Sequence, residues 1–420
     1  MKIFLLIYII ANTVFSYPMF EILTNNNPLS EDIVINIRDG ELNYMAIIDS
    51  DLSVNWSVLN RENSGWDFKV NNNNKLTFFA MTDTSWYSMD DRMSTYKINT
   101  NVNDYYIDNH DIQFLESGGY LVHFIAFEEI DIPQTSQIDT AKIGIVHEYD
   151  SEGEMIFEWK YSDYVSIDEY IDFFNLNSPR LRWNHINSID IDTDSNIIIS
   201  NRAMSEAVKF DRDSGEIIWI LGGPSNDFVF TNDPYNGFIG QHDVRRIENG
   251  NILVFDNGQS NNSNQPPRPA RIVEYSLDED NMIADMQWQY IHPNEYYAMN
   301  QGSVQRLENG NTFICWGTIL GRGAVITEVS QQGNIELEIE YPDGYNAYRV
   351  YKNDFEFSIS LDRGDINLDD RVDILDIITS VNLIIGSNNI NTILNLHKID
   401  LNDDAQINIS DIVLLVQLII

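Results

Sequence analysis

Between about residues 20 and 355 the apolar positions come in short runs of β-branched and aromatic residues, each broken by Gly, Asn or Asp. No long stretch repeats its apolar residues every 3.6 positions, so the pattern predicts strands joined by tight turns. The turns recur: RDGELNYMAII around Gly40, NNNNKLTFFAM around Asn74, ESGGYLVHFIA around Gly118, TDSNIIIS at Ser195, ENGNILVF at Gly250 and ENGNTFIC at Gly310. Asn-Gly and Asp-Gly supply the positive φ that a two-residue hairpin requires. Most of these hairpins are followed by a second, at 146–159, 207–219, 272–288 and 326–340. Two hairpins make four strands, and six such units predict an all-β, six-bladed β-propeller, with a sandwich of irregular strands as the rival. QHDVRRIENGN (241–251) and QGSVQRLENGN (301–311) align without gaps, as equivalent segments of successive blades would.

The repeat also places chemistry. His110, His185 and His242 each precede a hairpin turn by eight to ten residues. Equivalent positions of a propeller lie on a ring about its axis, so the three imidazoles are expected at one end of the central channel. Arg202 returns along the strand after Ser195 to the same end, and Asn187 shares a strand face with His185. An imidazole can act as a nucleophile, and a guanidinium forks onto a tetrahedral oxyanion. A three-His metal site is the competing reading, which the guanidinium opposes. His123, His147 and His292 fall outside the repeat and read as structural or surface residues. In the aligned blade Gly302 stands where His242 stands.

The stretches WNHINSID, NRAMSEAVKFDRDSGEIIWILGGPSNDF and GQHDVRRIENGNILVFDNG resemble the arylsulfate sulfotransferase family. The resemblance covers most of residues 100–350. It implies a six-bladed propeller that transfers a sulfuryl group from a phenolic sulfate donor to a phenolic acceptor, with no nucleotide donor and no catalytic cofactor. It further implies that His242 is the nucleophile, sulfated in passing. His110, His185, Asn187 and Arg202 would hold the sulfate oxygens, and one histidine would protonate the leaving phenolate. The insertion 164–183 is rich in aromatics and reads as either a lid or a blade-packing loop. A hydrolase, with water as acceptor, and a non-catalytic propeller that binds anionic ligands are the alternatives.

Residues 359–420 differ from the propeller of 17–358. DINLDDRVDILD (365–376) and DLNDDAQINISD (400–411) are twelve-residue calcium-loop patterns. Asp365, Asn367, Asp369, Asp373 and Asp376 occupy positions 1, 3, 5, 9 and 12 of the first, and Asp400, Asn402, Asp404, Asn408 and Asp411 those of the second. Each loop leads into an apolar helical run, so the unit resembles a small α-helical dockerin, which implies structural Ca²⁺ and a cohesin-like scaffold partner. A calcium-stabilised end cap is the plainer alternative. Asp370 and Ala405 stand at position 6, where Gly is usual.

Composition narrows the classes. The 420 residues hold 65 acidic and 25 basic side chains, a formal charge of −40, which argues against nucleic acid and anionic lipid as partners. At 43% hydrophobic the chain can bury a core, so it is not an acidic disordered chain. The acidity also suits a saline setting. The single cysteine, Cys315, permits no internal disulfide and reads as a buried inert thiol. Lys2, the run IFLLIYIIA and then VFS read as a signal peptide over 1–16. The expected location is secreted, periplasmic or cell-surface, with no membrane span after cleavage.

Overall fold

The computed structural model describes residues 17–420 apart from 41, 61–64, 101–103, 132–137, 169, 171–179, 260–265, 360, 370, 387–396 and 405. The expected signal segment and both position-6 residues of the calcium loops lie outside the described residues.

Six sheets form six blades, antiparallel except where the short strands Arg180–Arg182 and Val229–Thr231 add in parallel to blades 3 and 5. Blade 1 joins the two ends of the propeller: its innermost strand is Asn346–Lys352, and Ile33–Asp39, Leu42–Ile48 and Val54–Asn60 follow outward. Blades 2 to 6 begin, innermost first, with Trp66–Val70, Tyr106–Phe114, Ile186–Ile191, His242–Arg246 and Ser303–Arg306. The six innermost strands contact one another in a closed ring. Glu21–Asn25 adds an outermost strand to blade 6, a second tie between the chain ends. The Gly40 hairpin therefore differs from the other five. It joins the second and third strands of its blade, because the innermost strand arrives from more than 300 residues away. Contacts so remote in sequence leave no local periodic signal.

Large apolar side chains fill the spaces between blades. Trp159 of blade 3 stacks on Phe210 of blade 4 at 4.2 Å and is fully buried. Burying such a ring contributes about 1.5–3 kcal/mol, and the ring pair adds about 0.5–1.5 kcal/mol.

A local irregularity recurs on the channel side. Ladder register shifts at Trp66/Lys69, Ile186/Ser188 and His242/Arg245, and where Tyr106–Phe114 pairs across Val122/Phe124. Asp67 and Asp243 sit in these bulges with φ of 50° and 52°. A bulge re-aims the side chains beside it. Here it turns Trp66, His110 and His242 toward the mouth and sends the following Asp67, Asp111 and Asp243 down into the protein, where all three are buried.

Beyond the propeller, Phe355, Phe357, Ile359 and Leu361 pack with Trp56 of blade 1. The His397 ring lies 6.2 Å from Trp56, and its Nε2 bonds Leu361 O at 3.0 Å. Two helices, Ile374–Gly386 and Ile409–Ile419, pack on each other. In each calcium-loop pattern the position-12 carboxylate gathers backbone donors: Asp376 accepts from Ile366, Asn367 and Asp373, and Asp411 from Leu401 and Asn408. Among the described residues no helix is long and apolar enough to cross a membrane.

Candidate active site

The strand ring brings His110, His185 and His242 to one mouth of the channel. The His110 and His185 rings meet edge to face at 4.7 Å. The Arg202 backbone N–H donates to His185 O at 3.0 Å, so the strand returns to the mouth as the hairpin spacing predicts. Arg202 Nη2 donates to Met299 O at 3.1 Å, while its buried Nε has no partner.

His242 is held in a single tautomer. Asn257 Nδ2 donates to Ala298 O at 3.3 Å and Gln301 O at 3.0 Å, which fixes Asn257 Oδ1 as an acceptor. That oxygen lies 2.7 Å from His242 Nδ1, so Nδ1 carries the proton and Nε2 the lone pair. Nε2 accepts from the Gln301 backbone N–H at 3.1 Å. Burial first, then the neighbouring Arg202 guanidinium, holds the His242 pKa well below the ordinary imidazole range. A buried, neutral imidazole with its lone pair on the nitrogen away from its anchor has the electronic state of a nucleophile.

His110 is different. Its Nδ1 bonds Asp108 Oδ1, and that buried oxygen lies 3.6 Å from His123 Nε2. Burial opposes the Asp108 charge, yet His110, His123 and Lys142 hold this carboxylate well below its usual range. Lys142 lies 3.8 Å from Asp108 Oδ2 and 2.9 Å from His185 Nδ1. His185 is pushed well below the imidazole range by burial, then by Lys142 and His110. His123 is buried with Nε2 unpartnered and is lowered to about 4 by burial. Asp108, His110 and His123 bring three ligand-type atoms within 4.8 Å of one another, a different trio from the three repeat histidines, but Lys142 opposes a metal cation there.

Asn187 is fully buried; one of its two amide N–H groups donates to Gln241 O at 2.7 Å and so anchors the residue before His242, while its Oδ1 is buried with no hydrogen-bond partner. The other histidines are built in elsewhere: His147 bonds Glu158 at 2.8 Å, and His292 bonds Glu338 at 2.7 Å and stacks on Tyr296. Cys315 is buried, and burial raises its thiol to about 12. In the insertion, Tyr164 stacks on Trp159, and Tyr170 is buried beside Tyr161, so the part up to Tyr170 packs on its blade. Residues 171–179 lie outside the described set.

The sequence reading misses several residues. Arg38 reaches the mouth from the second strand of blade 1, its guanidinium 3.7 Å above the Trp66 ring, and burial lowers it to about 10. Burial lowers Arg202 to about 10 as well, with exposed Arg182 adding to the effect. Neither Arg38 nor Arg202 has a carboxylate partner among the described residues. Asp108, Lys142, Asn257, Trp66 and Tyr348 are the other additions. One signal pointed to part of this: Trp66-Asp67, His110-Asp111 and His242-Asp243 share the same aromatic-Asp doublet.

Below the mouth the channel is closed. Arg349, fully buried, bonds Asp67 Oδ1 at 3.0 Å and lies 3.4 Å from Asp111. At the far end Lys69, Arg245, Arg246, Arg306 and Lys352 line a cavity of about 400 Å³. Each has an acid: Lys69 with Asp67, Arg245 with Asp111 and Asp243, Arg246 with Asp192, Arg306 with Glu274 and Lys352 with Glu328. The mouth alone combines desolvated cations with a shortage of carboxylates.

The family model described as Arylsulfotransferase (ASST) matches residues 19–352. Arylsulfate sulfotransferase AssT of Escherichia coli is 28% identical over 170 residues, which cover 33% of this chain and 28% of that protein. The chain thus aligns with little more than a quarter of that relative's length. A Bacteroides caccae protein of unknown function has a TM-score of 0.48 at 11% identity, covering 77% of this chain and 99% of that one. Virginiamycin B lyase from Staphylococcus aureus has a TM-score of 0.39 at 9% identity, covering 78% and 89%. Structural likenesses this low carry no argument about function.

Proposed function

The chain belongs to the arylsulfotransferase family, and we propose from that premise that it moves a sulfuryl group between phenolic compounds through His242. The observation that carries the reading is the mouth itself: Arg202 without an acid partner, beside two imidazoles held neutral, in a chain of charge −40. Desolvated cations lacking carboxylates suit a sulfate ester, whose oxygens supply the missing acceptors.

His242 Nε2 attacks sulfur in line as the bond from sulfur to the aryl oxygen breaks. The electron pair leaves with the phenolate. His110 gives that oxygen a proton, and Asp108 stabilises the imidazolium that donates it. Arg202 and His185 hold the equatorial oxygens. In the second half an acceptor phenol attacks sulfur, His110 takes the phenol proton, and the bond from Nε2 to sulfur breaks. Attack first requires the Gln301 N–H to release Nε2. Gln301 and Gly302, at φ of 64° and 107°, form the turn that has to shift.

The test is a chromogenic aryl sulfate with and without added phenol, wild type beside His242→Ala. Phenol-dependent release that disappears in the variant supports the reading. Equal release without phenol points to hydrolysis, and no release by the wild type points to an anion-binding propeller.

The C-terminal loops fit Ca²⁺ in their chemistry. Asp365, Asp376, Asp400, Asn402 and Asp411 are buried together with no lysine or arginine in either loop, apart from Arg371. With Asn367, Asp369, Asp373, Asp404 and Asn408 they would supply the hard oxygens that such a cation takes. The contact of His397 with Trp56 favours a module seated on blade 1 over one on a free tether, and docking to a cohesin-like scaffold remains the alternative for its exposed helix faces. Chelation is expected to lower the melting temperature of the full chain and calcium to restore it. A melting curve indifferent to both would remove calcium from the account.

A further inference from the structure

The mouth holds more positive charge than one sulfate ester needs, and the excess is set apart. Arg202 and Lys142 stand with the histidines. Arg38 comes from a different blade and lies against Trp66, not against an imidazole. Its one polar partner among the described residues is the Gln301 amide. In the orientation that satisfies both its atoms, that amide accepts from Arg38 Nη2 at 2.5 Å and donates to Ala347 O at 3.3 Å. A guanidinium that loses most of its water usually gains a carboxylate, and every arginine lining the far-end cavity has one. Among the described residues no acid pairs with Arg38, although the chain has 65 to draw on.

The surroundings of Arg38 are aromatic. The Trp66 ring lies 5.5 Å from the Tyr348 ring, which lies 5.7 Å from the His110 ring. Trp66 Nε1 is buried with no hydrogen-bond partner. A continuous wall of rings thus runs from the group assigned to the phenolic oxygen to a guanidinium and an idle indole N–H.

We infer that Arg38 and Trp66 form a second anion subsite, and that the preferred aromatic substrate carries an acidic substituent, a carboxylate or a second sulfate, on the side of the ring away from the reacting oxygen. The ring lies against the half-buried Trp66, with Tyr348 packed behind it, and the acid pairs with Arg38. The inference rests on the transfer reading for the identity of the ring, but the subsite is a property of Arg38 and can be read without turnover. Gln301 links the two subsites, since its side chain bonds Arg38 and its backbone caps His242 Nε2.

The experiment measures binding of para-hydroxyphenylacetate and of its primary amide to the full chain, in the wild type, Arg38→Gln and Arg38→Lys. The methylene insulates the ring, so acid and amide present nearly the same phenol. The wild type should bind the acid about tenfold or more tighter than the amide, as one charge-assisted pair predicts. Arg38→Gln should erase that ratio and Arg38→Lys keep part of it. A wild-type ratio near one, or a ratio that survives Arg38→Gln, overturns the subsite. The same comparison with the two sulfate esters as donors reads the ratio in kcat/KM. An Arg38-dependent binding ratio without turnover of either ester would uphold the subsite and count against the transfer reading alone. Repeating the binding with the para-sulfooxy compound in place of the carboxylate separates the two acids. The one that binds tighter through Arg38 is the substituent the subsite was built for.

Discussion

The two ends of the channel hold the same kinds of cation and treat them in opposite ways. At the far end Arg245 lies 2.8 Å from Asp243 and 2.9 Å from Asp111, and every cation lining that cavity has an acid. At the mouth Arg202 and Arg38 have none among the described residues, and both are depressed to about 10 by burial. The strand ring is continuous between the two ends, so the backbone is not the cause. What differs is which side chain of each bulge faces which end: the aspartates point inward and pair, while the imidazoles and the indole point outward and bring no negative charge to the cations there. Charge pairs at the far end hold the ring together. Charge without a partner at the mouth is binding capacity, kept at some cost in stability.

The largest expected effect comes from making the same substitution at each end. Arg245→Met leaves Asp111 and Asp243 short of a buried partner and should cost about 3–5 kcal/mol in urea unfolding. Arg202→Met relieves a desolvated cation and should leave stability equal or higher, while kcat/KM for an aryl sulfate falls about 10²–10³-fold. Similar stability losses at both ends would erase the contrast.

Asp108→Asn sharpens it from the other side, because Asp108 is the one carboxylate among the described residues placed against the mouth imidazoles. The variant should lose about 10²-fold with donors whose phenols are poor leaving groups, and far less with a nitrophenyl donor that needs no proton. The readout is the slope of log kcat/KM against leaving-group pKa. A uniform loss across donors would assign Asp108 a purely structural part.

A smaller effect is the order in which the two ends respond to acid. An unfolded imidazole takes up a proton near pH 6.5, whereas folded His123 does so only at about 4. Stability is therefore lost as pH falls through that window, by up to ~3 kcal/mol for His123, and His185 and His242 add in the same direction. The far-end carboxylates divide: Asp192 is lowered to about 2 by Arg246 and Lys209 against its burial, whereas burial raises Asp190, which lines the cavity, to about 6. The Asp192 contribution is intact above pH 4 and is lost only below it, whereas Asp190 takes up its proton in the folded state first and adds stability as pH falls from about 6 to 4. Measured by urea unfolding against pH, His123→Gln should gain stability relative to the wild type as pH falls from 6.5 to 4, and an unchanged difference between the two across that window would contradict it.

These contrasts also mark what the chain discloses by itself. The hairpins at Asn74, Gly118, Ser195, Gly250 and Gly310 are local, and their spacing places three histidines and Arg202 at one mouth without any tertiary information. Arg38 and Tyr348 were illegible because both belong to blade 1, whose strands come from opposite ends of the sequence. Lys142 was illegible because it lies on the third strand of its blade, away from the repeat position. Asn257 stands in FDNG, inside a motif used for the resemblance. Its role depends on Ala298 and Gln301 accepting its amide protons, which no spacing reveals. The pairing of the far-end cations was partly hidden: Lys69 with Asp67 and Arg245 with Asp243 stand two residues apart on one strand, but Arg245 with Asp111, Arg246 with Asp192, Arg306 with Glu274 and Lys352 with Glu328 join different strands.

The central claim is that the mouth delivers a sulfuryl group to His242 Nε2. The most direct measurement is to mix the full chain with an aryl sulfate and no acceptor, quench within one turnover, and map the peptides by mass. The account predicts one added SO₃ on the peptide carrying His242, discharged when a phenol is added and absent in His242→Ala. Phenol-dependent turnover with no SO₃ on the protein, or with SO₃ on another residue, would contradict it.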